Sequence, residues 1–264
     1  MKDSKQELLS FLADNTFQKI GLLGHTSADP DALAACFGMK FLLEKMHPSS
    51  EIDVLIDNYN KPSQKLIEYI DEPYLENTKK NYDLIIIVDV NSPEQLGKFT
   101  EVVMDTPANK RIIIDHHSPS DFAQKEVQIA YIEDKRTSTA EMITELLFDL
   151  DLSPPSKILT ILLSGILYDS RRFYSLNLEL VTILKKMLEG GAKYSLARDL
   201  IQREIGLSER FARLKSAKRS EYERIHGWII VWTLVGAFEG SSARALIDVG
   251  ADVVLVYSRR KNLS

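Results

Sequence analysis

The sequence predicts an α/β protein in which an open, mostly parallel sheet is flanked by helices and followed by linker helices and a small second α/β domain. Short apolar runs alternate with helical patterns over the first half of the chain, as expected for strand–helix–strand units. Residues 83–89 and 111–115 are apolar and rich in β-branched side chains, which is typical of parallel strands covered on both faces. The pattern then becomes helical, and a last strand–helix–strand unit begins near residue 228.

The first half of the chain contains the predicted sheet. Its strands are expected at residues 20–24, 52–56, 83–89, 111–115 and 127–132. Helices are expected between them at residues 31–46 and 63–71. A short third helix is expected after Ser92-Pro93-Glu94-Gln95, which has the pattern of a capping box with proline at the first helical position.

The second half is predicted to be mainly helical. Ser138-Thr139-Ala140-Glu141 is another capping-box pattern, and Asn177 is a candidate cap for a later helix that ends at Gly190-Gly191. Helices are therefore expected at residues 139–149, 154–169, 178–190, 194–204 and 208–224, then a strand at 228–235, a helix at 240–249 and a strand at 253–257. The last unit cannot cover its own apolar faces, so we predict a first domain at 1–192, linker helices at 193–226 and the beginning of an incomplete second domain at 227–264.

Composition and charge exclude several classes of protein. The chain has 264 residues, and its 33 basic and 38 acidic side chains give a net charge of −5, which argues against gripping duplex DNA by bulk charge. The single cysteine, Cys36, excludes a disulfide framework and a thiolate-rich metal site. The N-terminus lacks the apolar segment of a signal peptide. The most apolar runs, 84–90 and 158–167, are too short to span a bilayer, so a cytoplasmic protein without membrane contact is expected.

Acidic and histidine side chains follow several of the predicted strands. They are His25, Asp29 and Asp31 after the first strand, Asp89 after the third, Asp115, His116 and His117 at the end of the fourth, and Asp169 after the apolar helix. Because the carboxyl ends of parallel strands meet at one edge of a sheet, these groups are expected to lie together. Clustered carboxylates repel unless a cation joins them, and mixed carboxylate and imidazole ligands suit Mn²⁺, with Mg²⁺ the alternative.

Each of these residues also has an ordinary structural interpretation. An aspartate before a helix, such as Asp31, is usually an N-cap. Asp89 and Asp169 taken singly are ordinary polar loop residues. The joint occurrence of acids and imidazoles on one predicted edge is what favours a site for two divalent metal ions.

Taken together, these residues resemble the motifs of the DHH phosphoesterase family, which is named for the triplet seen here as Asp115-His116-His117. Four motifs match in family order over residues 20–170: His25-x-x-x-Asp29-x-Asp31, Asp89 in Val88-Asp89-Val90, the triplet, and Asp169 in Gly165-Ile166-Leu167-Tyr168-Asp169. The branch that the chain resembles most is the oligoribonuclease and phosphoadenosine-phosphate phosphatase type, which is similar to RecJ exonucleases but smaller. The resemblance implies that residues 1–192 form the family's metal-dependent phosphoesterase domain.

The resemblance also implies a role for each matched residue. One metal ion would be bound by His25 and Asp29, the second by Asp31, His116 and Asp169, and both by Asp89. The catalytic residues would be Asp89, His117 and Asp115, with His117 donating to the scissile phosphate and Asp115 orienting a histidine. Manganese is the metal expected in this family. The second domain of that branch often carries a Gly-Gly-Gly-His segment, whereas residues 227–264 resemble only the beginning of that domain. Either the chain is truncated or its substrate-contacting part is short.

Three arginines are candidates for binding substrate phosphate. Arg171 and Arg172 directly follow Asp169, and a guanidinium matches phosphate geometry, although surface ion pairing is an equal alternative. Arg259 lies in a basic stretch near the end of the sequence, where a frayed terminus is the alternative.

The predicted function is hydrolysis of phosphate esters of nucleotides or short single-stranded oligonucleotides. Short oligoribonucleotides, phosphoadenosine phosphate and cyclic dinucleotides are the candidate substrates. The alternatives are a pyrophosphatase-like enzyme and a non-catalytic nucleotide-binding or replication-scaffold member of the same fold, and monomer or homodimer is left open.

Overall fold

The structure, a computed structural model, describes residues 4–78, 80–202 and 205–258. The chain forms two compact units, Met1–Gln202 and Arg203–Ser264. Elements of the first unit, in chain order, are α1 Ser4–Asp14, β1 Lys19–Leu23, α2 Pro30–Met46, β2 Glu51–Leu55, α3 Gln64–Ile70, β3 Leu84–Val88, α4 Thr100–Asp105, β4 Arg111–Asp115, α5 Asp121–Lys125, β5 Ile129–Ile132, α6 Thr139–Asp149, α7 Ser156–Asp169, α8 Leu178–Glu189 and α9 Tyr194–Leu200.

The first unit is built on a five-stranded sheet in the order β2-β1-β3-β4-β5, with every neighbouring pair parallel. On one face α1 and α2 pack on the strands, and α6 and α7 pack on α2; buried residues of these helices and of the sheet belong to the larger core. The other face packs a smaller core that includes Phe99, Val103 and Phe122 from the segments around α4 and α5. The buried runs of β3 and β4 are therefore covered on both faces, which confirms the predicted fold class.

The strand order reverses direction at the junction of β1 and β3. The chain moves from β1 to β2 on one side and then returns to β3 on the other side of β1. The loops that leave β1 and β3 consequently diverge at the carboxyl edge, and this divergence opens a cleft at the place where ligands bind in open parallel sheets.

In the first unit the predicted helix boundaries are largely confirmed, except after β3 and in α9, which ends at Leu200 and is shorter than the predicted 194–204. Ser92 does not cap a helix with its side chain, and residues 93–99 form two short 3₁₀ turns before α4. Ser138 does cap α6, since its hydroxyl accepts from Glu141 N at 3.0 Å, but the Glu141 carboxylate accepts from Thr137 N at 2.9 Å, one residue before the N-cap position that a capping box uses. Asn177 caps α8 by accepting from Leu180 N at 2.8 Å.

The second unit contains α10 Leu207–Arg219, β6 Glu221–Ile225, β7 Trp228–Val235, α11 Glu239–Val249 and β8 Val253–Ser258. Its sheet has the order β6-β7-β8, with β6 antiparallel and β8 parallel to β7. Val231, Leu246 and Ala251 form its small buried core.

The predicted helix over residues 208–224 is wrong at its end. The helix stops at Arg219, and Glu221–Ile225 pairs with β7 as a strand. His226 and Gly227 form the two-residue turn between them, and both have positive φ angles, 50° and 94°, as a tight hairpin turn of the mirror-image type requires. The segment predicted as linker helices, 193–226, therefore contains α9, α10 and a strand. The assignment of residues 227–264 as the beginning of a substrate-binding domain stays a prediction.

Candidate active site

The first unit brings the predicted residues of its strand ends to one cleft. The cleft has a volume of about 390 Å³, and its lining includes His25, Thr26, Ser27, Asp29, Asp89, Gln95, His117 and Asp169. It opens between the loops that leave β1 and β3, at the reversal of the strand order. The parallel sheet thus gathers side chains that are far apart in the sequence.

Asp29 and Asp31 have different structural duties at the start of α2. Asp29, not Asp31, is the N-cap, because one of its oxygens accepts from Asp31 N at 2.9 Å and from Ala32 N at 3.1 Å. Asp31 is fully buried and accepts from Thr139 N at 2.7 Å and from Ala140 N at 2.9 Å. Asp31 therefore meets the first backbone N–H groups of α6, where a helix favours negative charge.

Gly165 on α7 allows this close approach of helices. A Cβ atom at that position would lie 2.9 Å from Asp31 Oδ1, 2.8 Å from Ala34 Cβ and 2.9 Å from Ala140 Cβ. Since these distances are shorter than real Cβ contacts, only glycine lets α7 pass beside Asp31 without displacing it.

Asp89 lies at the centre of the site. It is buried and has a left-handed φ of 59°, a conformation that costs a non-glycine residue about 1 kcal/mol and is often found at functional sites. Its Oδ1 accepts from the Thr139 hydroxyl at 3.1 Å and lies 3.4 Å from His116 Nε2. Its Oδ2 lies 3.8 Å from His25 Nε2. The two carboxylate oxygens of Asp89 therefore face two different imidazoles.

Two sets of side chains share Asp89. We call Asp31, Asp89, His116 and Asp169 the inner group, and His25, Asp29 and Asp89 the outer group. Within each group the candidate ligand atoms all lie within 4.8 Å of one another. His116 Nε2 is 3.1 Å from Asp169 Oδ2 and 4.0 Å from Asp31 Oδ2, and His25 Nε2 is 3.8 Å from Asp29 Oδ1.

The electrostatics of the inner group favour a cation. Burial raises the pKa of Asp31 well above its usual range, and the charges of Asp89 and Asp169 raise it further. Burial lowers the pKa of His116, but its contacts with Asp169 and Asp89 outweigh burial and raise the pKa to about 11. Without a metal ion, one protonated imidazole faces three carboxylates and offsets only part of their charge.

His116 also supplies the observation that tests whether a metal fits. Its Nε2 atom is buried and has no hydrogen bond of normal geometry within the described part of the chain, although three carboxylates lie around it. A buried imidazole nitrogen without a hydrogen-bond partner is costly, and this nitrogen is a preferred metal ligand. The carboxylate and imidazole donors fit Mn²⁺ or a similar divalent ion.

A third set, Asp89, Asp115, His116 and His117, is also close enough to hold an ion, but hydrogen bonds already occupy Asp115. Its Oδ1 lies 2.8 Å from His117 Nδ1 and accepts from His117 N at 3.2 Å. Its Oδ2 accepts from Asn91 Nδ2. Asp115 therefore holds His117 and Asn91, and the other ring nitrogen of His117, Nε2, remains for a different partner.

With this geometry in place, comparison with known proteins identifies the family. A model of the DHH family N-terminal domain matches residues 19–166. The chain belongs to the DHH family. The four motif positions of the site lie within residues 20–170, and members of this family are phosphoesterases.

Individual known proteins resemble the chain to different extents. The uncharacterized protein MJ0988 of Methanocaldococcus jannaschii is 29% identical over 257 residues, which cover 97% of this chain and 75% of that protein. The probable bifunctional oligoribonuclease and PAP phosphatase NrnA of Streptococcus mutans is 28% identical over 151 residues, which cover 56% of this chain and only 44% of NrnA. A crystal structure of an exopolyphosphatase-related protein from Bacteroides fragilis superimposes with a TM-score of 0.72 at 17% identity, covering 89% of this chain and 70% of that one, which supports the fold.

The arginines predicted to bind substrate are not buried in the site as Asp31 and Asp89 are. Arg171 and Arg172 are both exposed. Together with Phe173 they adopt three consecutive left-handed conformations, with φ angles of 50°, 59° and 69°. Arg259 lies outside the described residues, so its role in the DHH site stays a prediction.

Sequence reasoning missed two residues of this DHH site. The sequence pattern marks Thr139 only as part of a capping box, yet its hydroxyl donates to Asp89 and its backbone N–H donates to Asp31. Asn91 has no role in the sequence patterns, although it lies two residues after Asp89.

None of the helices in the described residues is long and apolar enough to span a membrane.

Proposed function

We propose that this chain hydrolyses phosphate esters of nucleotides or short oligonucleotides, and that it uses two divalent metal ions, preferably Mn²⁺. The observation that carries this proposal is the position of Asp89, which is buried and turns one oxygen toward His116 and the other toward His25. A shared carboxylate between two ligand groups is what a pair of ions a few ångströms apart requires.

Each of the two groups would bind one of the two metal ions. The inner group would hold one ion and the outer group the other, with Asp89 common to both. Ions bound there would supply the Lewis acidity that activates a water molecule and offsets charge on the phosphoryl oxygens. Asp31 and Asp29 keep their positions through backbone N–H groups of α6 and α2, so the ligand geometry does not depend on flexible side chains alone.

His117 would contact the substrate phosphate. Its Nδ1 is held by Asp115 at 2.8 Å, its side chain is 58% exposed, and it lines the cleft. Arg171 and Arg172 would provide further phosphate contacts, because both are exposed directly after Asp169.

A nucleotide substrate is favoured over pyrophosphate by the relationship to NrnA, named as an oligoribonuclease and PAP phosphatase. The open cleft suits a substrate that extends beyond one phosphate. In this proposal a terminal phosphate ester would lie at the two metal ions, and the rest of the nucleotide would extend along the mouth of the cleft.

The test is a hydrolysis panel with Mn²⁺, Mg²⁺ and a chelator. The substrates are a short oligoribonucleotide, phosphoadenosine phosphate, a cyclic dinucleotide and pyrophosphate. We expect Mn²⁺-dependent release of nucleotide or phosphate from at least one of the first three, and its loss on chelation. Hydrolysis of pyrophosphate alone would support a pyrophosphatase-like enzyme instead, and nucleotide binding without turnover would support a non-catalytic protein.

A further inference from the structure

We propose that Asn91 is a positioning residue for His117 and acts through Asp115. The inference rests on the proposed function, because it concerns the group that would contact the substrate phosphate. The side-chain amide of Asn91 forms no hydrogen bond with a member of the inner or outer group. Its influence on His117 would pass through the buried carboxylate of Asp115.

The amide of Asn91 is fixed by three partners. Its Nδ2 donates to Asp115 Oδ2 and to Ser118 O, the latter at 3.2 Å. Its Oδ1 accepts from Ser120 N at 3.1 Å. Two acceptors on one side and a donor on the other determine which end of the amide is nitrogen, because the reversed orientation would place oxygen against oxygen.

Asp115 transmits this orientation to His117. Asp115 is fully buried, and one of its oxygens is bound to Asn91 while the other accepts from the ring and the backbone of His117. If the amide were absent, Oδ2 would be a buried acceptor without its partner, and the carboxylate would rotate or take up water. The hydrogen bond to His117 Nδ1 would then lose its fixed direction.

The position of the ring matters because His117 is otherwise poorly restrained. Its side chain is more than half exposed, and its ring contacts the ring of His116 at a centroid distance of 4.2 Å. Asp115 is the only described hydrogen-bonding partner of its Nδ1 atom. A histidine on the wall of an open cleft is therefore held by a chain of bonds that begins at Asn91.

The experiment compares Asn91→Ala and Asn91→Leu with a matched control, Ser120→Ala. The leucine variant fills the same space without polar atoms, so it separates hydrogen bonding from packing. Ser120→Ala removes the hydroxyl that donates to Asn91 O and accepts from Ala123 N. It leaves the three hydrogen bonds of the Asn91 side-chain amide intact. The control tests whether local destabilisation alone changes His117.

The first measurement does not depend on activity. Proton–nitrogen spectra of the full chain with Mg²⁺ are expected to show a slowly exchanging His117 Nδ1–H. The chain has five histidines, and His117→Gln assigns the signal. It should exchange rapidly in both Asn91 variants and stay protected in Ser120→Ala. Rapid exchange in the unmodified protein would overturn the inference without any variant.

The second measurement is steady-state hydrolysis of the substrate identified by the panel. Both Asn91 variants should lower kcat by about 10- to 100-fold, whereas the Mn²⁺ concentration for half-maximal activity should change less than about twofold. Activity retained in Asn91→Leu would mean that Asn91 only fills space. A protein that hydrolyses no ester but loses the protected signal in the Asn91 variants would refute the proposed function and leave this inference standing.

Discussion

The inner and outer groups meet at Asp89 but are built in different ways. The inner group contains three carboxylates and one imidazole, and two of its members, Asp31 and Asp89, are almost completely buried. The outer group adds only His25 and Asp29, which follow β1 on one loop and are about one-fifth exposed. The inner group therefore reaches into the packed core through Asp31 and Asp89, whereas its Asp169 is as exposed as the outer residues and lines the cleft with them.

The difference in burial appears again in the charges. Burial and neighbouring carboxylates raise the pKa of Asp31. Burial also raises the pKa of Asp29, but the nearby His25 imidazole and the hydrogen bonds from backbone N–H groups outweigh it and leave the pKa lowered. With both imidazoles protonated, the outer group still has one more carboxylate than cations, and the inner group has two more. We infer that the inner group gains more from a metal ion and binds it more tightly.

The largest effect is expected from removing the residue that the groups share. Asp89→Asn keeps the size of the side chain and tolerates the left-handed backbone, so the fold should be retained. Turnover should fall more than about 1,000-fold, and the metal-free protein should melt at a higher temperature because a repelling charge is lost. Steady-state rates test the loss of turnover, and thermal melting followed by circular dichroism tests the gain in stability. Asp105→Asn, at an exposed site at the end of α4, is the control; activity of Asp89→Asn within tenfold of the parent would reject the shared position.

A residue outside both groups should affect turnover and not metal binding. His117→Ala removes the side chain held by Asp115, so we expect hydrolysis to slow by about 100-fold. Mn²⁺ binding measured by calorimetry should be almost unchanged. Equal loss of Mn²⁺ in His117→Ala and His116→Ala would show that the third set of residues binds metal.

The comparison of the groups is tested directly by one histidine from each. His116→Ala should weaken binding of the inner ion by about 100-fold, which corresponds to about 2.8 kcal/mol. His25→Ala should weaken only the outer ion, by about tenfold, because His25 lies at the cleft mouth. Stepwise Mn²⁺ titration by calorimetry separates the two ions. The proposed order is reversed if the His25 variant loses the tighter site.

The position of His25, Asp89 and His116 at one edge was predictable because they follow strands whose buried, β-branched character is strong, whereas the division of the ligands into two groups was implied only by the resemblance to the DHH family. Parallel strands bring their carboxyl ends to one edge whatever the helices do, so His25, Asp89 and His116 could be assigned to one site in advance. Strand β6 was missed for the opposite reason: all five of its residues are exposed, and its charged residues have good helix propensity.

The supporting contacts could not be predicted from the sequence. Thr139 N reaches Asp31 across 108 residues of chain, and the Thr139 hydroxyl reaches Asp89 across 50. Asn91 reaches Asp115 across 24. No local pattern encodes such contacts, because they depend on how α6 and the loop after β3 pack against the sheet.

A smaller effect is expected from a change in the packing behind the inner group. Gly165→Ala would place a methyl group 2.9 Å from Asp31 Oδ1, so Asp31 must shift from α6, and Mn²⁺ affinity at the inner group should fall by about tenfold. Gly38→Ala is a matched control, because its methyl group would meet Leu162 at 2.6 Å and Ile143 at 3.1 Å, not a ligand. Both variants should lose about 1–3 kcal/mol of stability. Calorimetry should find weaker metal binding only in Gly165→Ala. Equal Mn²⁺ affinities in the two variants would show that the packing of α7 does not control the position of Asp31.

The smallest effects concern the left-handed turn that follows the inner group. Arg171 has a φ of 50°, which is strained for any residue with a Cβ atom but not for glycine. Arg171→Gly should therefore raise the free energy of unfolding by up to about 1 kcal/mol, since relief of strain is partly offset by the greater freedom of the unfolded chain. If the guanidinium binds substrate phosphate, KM should rise several-fold while Mn²⁺ binding by the inner group stays the same. Arg172→Gly, at a φ of 59°, removes the same strain at the neighbouring position and shows which arginine contacts the substrate. A gain in stability with unchanged KM in both variants would assign the two arginines to the solvent-exposed surface and leave phosphate binding to His117 and the metal ions.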